Sequence, residues 1–170
     1  MMRKTEEINR LECDCYDFER RSYACPLEDE TVTEFFMCMK PPTTTFQQKE
    51  LKIVWSKKKK KHVPVVYESA ELKAARSKLT ARLAKHVPAE KYASGVRLTT
   101  KWLFPRGKHA DGEYKITKPD TDNLQKLLKD CMTNLGFWKD DALVASEVVE
   151  KFWAEMPGIY IKIEEIEEAG

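Results

Sequence analysis

The sequence predicts an α/β fold: a single small domain in which a mixed β-sheet is packed by two main helices. Three observations carry this prediction. A length of 170 residues suits one core and is short for two. Two segments repeat apolar residues at helical spacing, and their neighbours alternate with the period of two that marks half-buried strands. The coarse order is β–loop–α–β–loop–α–β–β, with helices set between strands.

Residues 1–30 are acidic and show no sustained period, so they read as an N-terminal extension to a domain spanning 31–170. "TEFFMCMKPP" predicts a strand over Thr33–Met39, closed by Pro41 and Pro42, which cannot extend a sheet ladder. Residues 43–67 read as a long polar and basic connection, in which Lys57–Lys61 repel one another into an extended, mobile loop. The first helix follows, with Leu72, Ala75, Leu79 and Leu83 as its apolar stripe, Ser69 as N-cap and Pro88 as stop.

"GVRLTTKWLFP" then alternates as a strand, with Val96, Leu98, Thr100 and Trp102 on one face, and Pro105 opens a basic loop. The second helix is the strongest local pattern. Leu124, Leu127, Leu128, Cys131, Met132 and Leu135 fall on one continuous face, Asp120 or Thr121 caps the start, and Gly136 ends it. After Asp141, "LVASEVVEKFWAE" reads as a strand, and "IYIKIEEI" returns beyond the Pro157–Gly158 turn as its hairpin partner.

Composition narrows the function classes. No apolar run approaches the roughly 18 residues of a membrane span, and there is no signal-peptide core, so an intracellular, cytoplasmic protein is expected. The cysteines Cys13, Cys15, Cys25, Cys38 and Cys131 form no regular disulfide framework. Cys13, Cys15 and Cys25 cluster but lack the paired spacing of common zinc knuckles, so reduced thiols are expected.

His62, His86 and His109 show no ligand spacing and read as surface or loop residues. Trp55, Trp102, Trp138 and Trp153 read as core or interface residues. No phosphate-binding glycine loop and no nucleophile elbow is present, so nucleotide hydrolysis and acyl transfer have no basis.

Charge is segregated beneath a formal net of +2. Residues 1–39 carry 5 basic and 10 acidic groups, residues 40–110 carry 18 and 4, and residues 111–170 carry 7 and 14. A basic middle followed by an acidic cluster suits a protein that holds a polyanion against metal-binding carboxylates. Candidate phosphate contacts are Lys57, Lys58, Lys59, Lys60, Lys61, Arg76, Arg106, Lys108, Lys115 and Lys118.

The acidic cluster lies in "KPDTDNLQKLLKDCMTNLGFWKDD". Asp122, Lys126 and Asp130 are four residues apart, on one side of the second helix and away from its leucine face. Asp120 precedes the helix, and Asp140 and Asp141 follow it, where a strand returning beside the helix would bring one of them next to Asp120 and Asp122. Spacing leaves two readings open. Asp120 and Asp122 are favourable at a helix N-terminus, and exposed charge pairs along a helix are common. Alternatively, aspartates 120, 122 and 141 supply the oxygen ligands a hard divalent cation needs, with Lys126 to stabilise charge developing on a phosphate.

The same residues resemble the signature of the RusA family of Holliday junction resolvases. An Asp-x-Asp-Asn set opens a helix, a Lys follows four residues on, then a further helical Asp, and an aromatic turn leads to Asp-Asp. The resemblance is specific over about 25 residues; elsewhere only the order of elements is similar, and residues 1–30 have no counterpart. One departure is the "YKITKP" before the motif, where some members carry a basic run; Lys115 and Lys118 supply charge there.

The resemblance implies a homodimeric, metal-dependent endonuclease using Mg²⁺, with Mn²⁺ substituting. Asp120, Asp122 and Asp141 would be its metal-binding catalytic residues, with Lys126 beside them and Asp130 and Asp140 in supporting roles. The implied substrate is branched DNA, cut by symmetrical nicks across a four-way junction in recombination and repair. The alternative is a non-catalytic protein of the same fold that binds DNA structure.

Overall fold

In chain order the strands are β1 (Tyr16–Asp17), β2 (Ser22–Tyr23), β3 (Val32–Cys38), β4 (Lys49–Ser56), β5 (Lys61–Glu68), β6 (Val96–Pro105), β7 (Val144–Ala154) and β8 (Gly158–Glu165). The helices are α1 (Ala70–Leu83) and α2 (Thr121–Leu135). The computed structural model describes residues 16–17, 22–23, 32–44 and 49–166. Cys13, Cys15 and Cys25, with most of the acidic extension, lie outside the described residues. The described part of that extension is not wholly irregular: β1 and β2 pair antiparallel, Tyr16 opposite Tyr23.

The sheet at the centre has the order β3-β8-β6-β7. β8 runs antiparallel to both β3 and β6, whereas β6 and β7 are parallel and joined through α2. This is a mixed sheet with a helical crossover, as the alternation of elements predicts. Val96, Leu98, Thr100 and Trp102 do share the buried face of β6.

One expectation changes here. β7 and β8 are consecutive and opposed in direction, but they are not hairpin partners, because β6 lies between them. Burial explains the choice. β6 and β8 hold the fully buried Leu98, Trp102, Ile161 and Ile163, while β7 is mostly half-exposed and suits an edge. Strands two places apart are about 10 Å from each other, within reach of the three-residue link 155–157.

Both helices cover one face. Leu72, Leu79 and Leu83 of α1 and Leu124, Leu127, Leu128, Cys131 and Met132 of α2 join Phe35, Met37, Trp102, Ile159, Ile161 and Ile163 in one core. Each such aliphatic side chain contributes about 1.5–3 kcal/mol by leaving water. Two of the predicted caps form, at Ser69 and Gly136. Ser69 Oγ accepts from the Leu72 amide at 3.1 Å, and Gly136, at φ 89°, turns the chain out of α2. A second, smaller cluster of Phe36, Leu103, Ala154 and Tyr160 covers the opposite face.

The segment read as a mobile connection is instead the β4–β5 hairpin, paired from Lys49 opposite Glu68 to Ser56 opposite Lys61. Ile53, Val54, Trp55, Val63 and Val65 favour strand geometry, with Val54 opposite Val63. The lysine repulsion is confined to the exposed turn at Lys57–Lys60, where the charges splay into water. Trp55 is accordingly not a core residue, being 57% exposed, whereas Trp102 and Trp138 are buried. Among the described residues no helix is long and apolar enough to cross a membrane.

Gly158 tests the packing of β8 on β3. A Cβ there would lie 2.0 Å from the Phe36 ring and 2.8 Å from the Met37 carbonyl oxygen. Gly158→Ala is expected to lower stability by about 1–3 kcal/mol, read as a fall in the denaturant midpoint. An unchanged midpoint would contradict the close approach of these strands.

Candidate active site

The acidic residues are placed by α2. Its leucine face is committed to the core, so positions 122, 126 and 130 are turned away from it, and Asp122 and Lys126 are exposed. Asp120 occupies the N-cap position, yet its side chain makes no capping hydrogen bond. Its carboxylate is therefore not spent on holding the helix start, as the structural reading of the motif requires. Two oxygen donors stand together at the positive end of the helix.

The remaining acidic residues gather at the other end. An open cleft of about 420 Å³ is lined by Arg76, Asp130, Thr133, Asn134, Asp140 and Asp141. Asp140 accepts from the Ala142 amide at 2.9 Å and caps the short 3₁₀ turn 141–143, which presents Asp141 at the surface. Phe137 and Trp138, just before this turn, are buried, and Trp138 donates to Thr133 Oγ1 at 2.7 Å. They fix the position of the Asp-Asp pair by packing.

Asp141 is not brought beside Asp120 and Asp122, contrary to the expectation. α2 and β7 run in opposite directions. Lys151, late in β7, meets the chain just before Asp120, whereas Glu147, nearer its start, pairs with Lys129. The stretch from Asp122 to Asp130 alone extends about 12 Å along the axis at 1.5 Å per residue. Among the described residues no group of three or more His, Cys, Asp or Glu side chains is arranged to hold a metal ion. A donor set of all three aspartates is therefore not met within one chain.

The basic candidates divide. Lys57–Lys61, Arg106, Lys108 and Lys118 are exposed, with Arg106 3.6 Å from Glu155. Arg76 is committed to ion pairs, 2.7 Å from Glu68 and 3.6 Å from Asp130, so it ties the hairpin to both helices. Lys115 is buried, its ammonium 4.1 Å from the Trp153 ring centroid and 5.3 Å from that of Phe104. Burial, with added repulsion from Lys151, lowers its pKa below the ordinary lysine value. Its charge is held inside the loop rather than offered to a phosphate at the surface.

Sequence reading missed Lys151. Its ammonium donates to the carbonyl oxygens of Thr117 at 3.0 Å and Pro119 at 2.7 Å, the latter directly before Asp120. Nothing in local spacing points to this contact, since it joins residues 32 and 34 positions apart. Lys151 also carries the Lys115 amide on its own carbonyl, at 2.8 Å, so β7 holds the approach to α2 at several points.

A small mixed sheet under two helices, with carboxylates aligned on a helix beside basic loops, has the makings of a protein that handles a phosphate polymer. Comparison with known proteins gives the class. The family model described as Endodeoxyribonuclease RusA matches residues 39–164, well over half of the chain. The chain belongs to this family. It is 33% identical over 91 residues to the crossover junction endodeoxyribonuclease rusA of Lactococcus phage r1t, covering 52% of this chain and 70% of that protein. It is also 42% identical over 50 residues to the uncharacterized protein YqaN of Bacillus subtilis strain 168, covering 29% of this chain and 34% of that one.

Lys151→Met tests the brace. Losing two charge-assisted hydrogen bonds should cost about 1.5–3 kcal/mol and speed amide exchange in the first turn of α2. Exchange at Leu124 and Gln125 that matches the unaltered protein would show that Lys151 does not hold this end of the helix.

Proposed function

We propose that the chain is a metal-dependent endodeoxyribonuclease that resolves Holliday junctions and related branched DNA by symmetrical hydrolysis of two strands. The observation that carries this reading is the pair Asp120 and Asp122. Both are exposed at the positive end of α2, and Asp120 sits at the cap position without capping. Membership of the family supports it, as does the name of the phage relative.

Mg²⁺, with Mn²⁺ substituting, is the proposed cofactor. Mg²⁺ takes one or two carboxylates from a protein and completes its shell with water and phosphate oxygens. Asp120 and Asp122 match that count. Asp141 does not join them within one chain, so the proposed homodimer acquires a purpose: Asp141 would come from the second copy. Lys126, one turn beyond Asp122, would face the phosphate being cut, and exposed lysines would carry the arms of the junction.

The separation of Asp141 also favours a second reading, in which the chain binds branched DNA without cutting it. The two readings differ in a cleavage assay on a four-way junction, a flap and plain duplex. The nuclease reading expects paired nicks in strands of equal polarity on the junction, dependent on Mg²⁺ or Mn²⁺. Asp122→Asn and Asp141→Asn should each slow nicking on the order of 10²–10³-fold, the scale of removing one group that stabilises charge in the transition state. Junction binding in EDTA with no nicking on adding metal would support the binder instead.

A further inference from the structure

The β4–β5 hairpin carries surface that the core does not use. It forms a two-stranded sheet separate from the central one. Residues opposite each other in an antiparallel pair share a face, so Ile53 opposite Pro64 and Trp55 opposite His62 form one strip. All four are exposed, Ile53 by 71% and Trp55 by 57%. Val54, Val63 and Val65, on the reverse face, are half-buried. Within the strip the Trp55 and His62 rings meet edge to face with centroids 5.1 Å apart.

At the end of this strip is the turn Lys57–Lys60, exposed throughout, with the Lys59 amide donating to Ser56 Oγ at 3.2 Å and Lys60 at φ 48°. Two such tips brought together would repel, which disfavours a second copy of the chain as the partner. An anionic polymer is favoured. Bases have flat apolar faces and phosphates carry the charge, so an aromatic platform beside a run of lysines matches unpaired nucleotides on both counts. In plain duplex those base faces are covered by their neighbours.

We propose that this hairpin is a binding site for unpaired bases at a DNA branch point, with Trp55 and Ile53 receiving a base face and Lys57–Lys60 holding the flanking phosphates. The proposal rests on the reading of the chain as a protein of branched DNA and adds the element that recognises the branch. It assigns different physical signatures to the two parts. Stacking on Trp55 is nearly independent of salt, whereas each lysine–phosphate contact steepens the salt dependence.

The test uses the full chain in EDTA, so that binding is read without cleavage, on a four-way junction with unpaired bases at the crossover and on linear duplex. Trp55 is the most exposed of the tryptophans, so base stacking should quench emission with the junction and not with the duplex. Trp55→Ala should abolish that quenching and weaken junction binding about five- to hundredfold, with the salt slope unchanged. Trp55→Phe, which keeps a ring, should bind within about threefold of the unaltered chain, separating stacking from loss of the hairpin. Replacing Lys58 and Lys59 with Gln should reduce the salt slope by about 1.4–1.8.

Junction and duplex binding that survive Trp55→Ala unchanged would overturn the inference and leave the nuclease reading intact. A change in oligomeric state with unaltered DNA binding would also overturn it, assigning the strip to a second copy. A chain that binds none of these DNAs would overturn both.

Discussion

The leucine face of α2 must lie on the sheet, and this one contact determines where the acidic residues can go. Leu124, Leu127, Leu128, Cys131 and Met132 are all buried in the main core, so the helix cannot rotate without exposing them. Its axis is fixed too, because Lys151 holds the chain before Asp120 while Lys129 pairs with Glu147. Asp120 and Asp122 are thereby anchored at one end of the helix and Asp130 at the other, beside Asp140 and Asp141. Core packing is worth many times a single surface ion pair, so repulsion or attraction among these carboxylates does not reposition them.

The charges that surround the helix are sorted by the same packing. Arg76 and Lys115 sit where the core or another acidic residue claims them, one in ion pairs with Glu68 and Asp130 and the other above aromatic rings. Lys57–Lys60 of the hairpin turn, with Lys108 and Lys118 after β6, are left in water. A basic residue in the sequence is thus either a brace or a surface charge, and only burial distinguishes them. Asp120, Asp122 and Asp141, on which the nuclease reading depends, all remain exposed, as does Asp140, while Asp130 is half-buried.

Much of the fold was legible because it rests on local periodicity. The faces of α1, α2 and β6, the Ser69 cap and the Gly136 exit follow from residues within a few positions of one another. The order of strands was not, since the placing of β6 between β7 and β8 is decided by which strand has most to bury. The hairpin was obscured by its turn: the lysine run dominates residues 43–67, while the β-branched residues that pair across it are dispersed. At the site, helical spacing gave the side on which Asp122 and Lys126 lie. It could not give the direction of β7 relative to α2, and that direction separates Asp141 from the other two. Lys151 left no trace, because its role is a contact with distant carbonyl oxygens.

The proposal at the centre of this account is that the aspartates kept apart in one chain are completed by another. Mixing chains carrying Asp122→Asn with chains carrying Asp141→Asn tests it most directly. If the set is shared between copies, a mixed dimer has one site with Asp120, Asp122 and Asp141 all unaltered, and the mixture nicks a four-way junction far faster than either variant alone. If each site is built within one chain, every site in the mixture lacks an aspartate. A mixture as inactive as its components, with mixed dimers shown to form, would contradict the account.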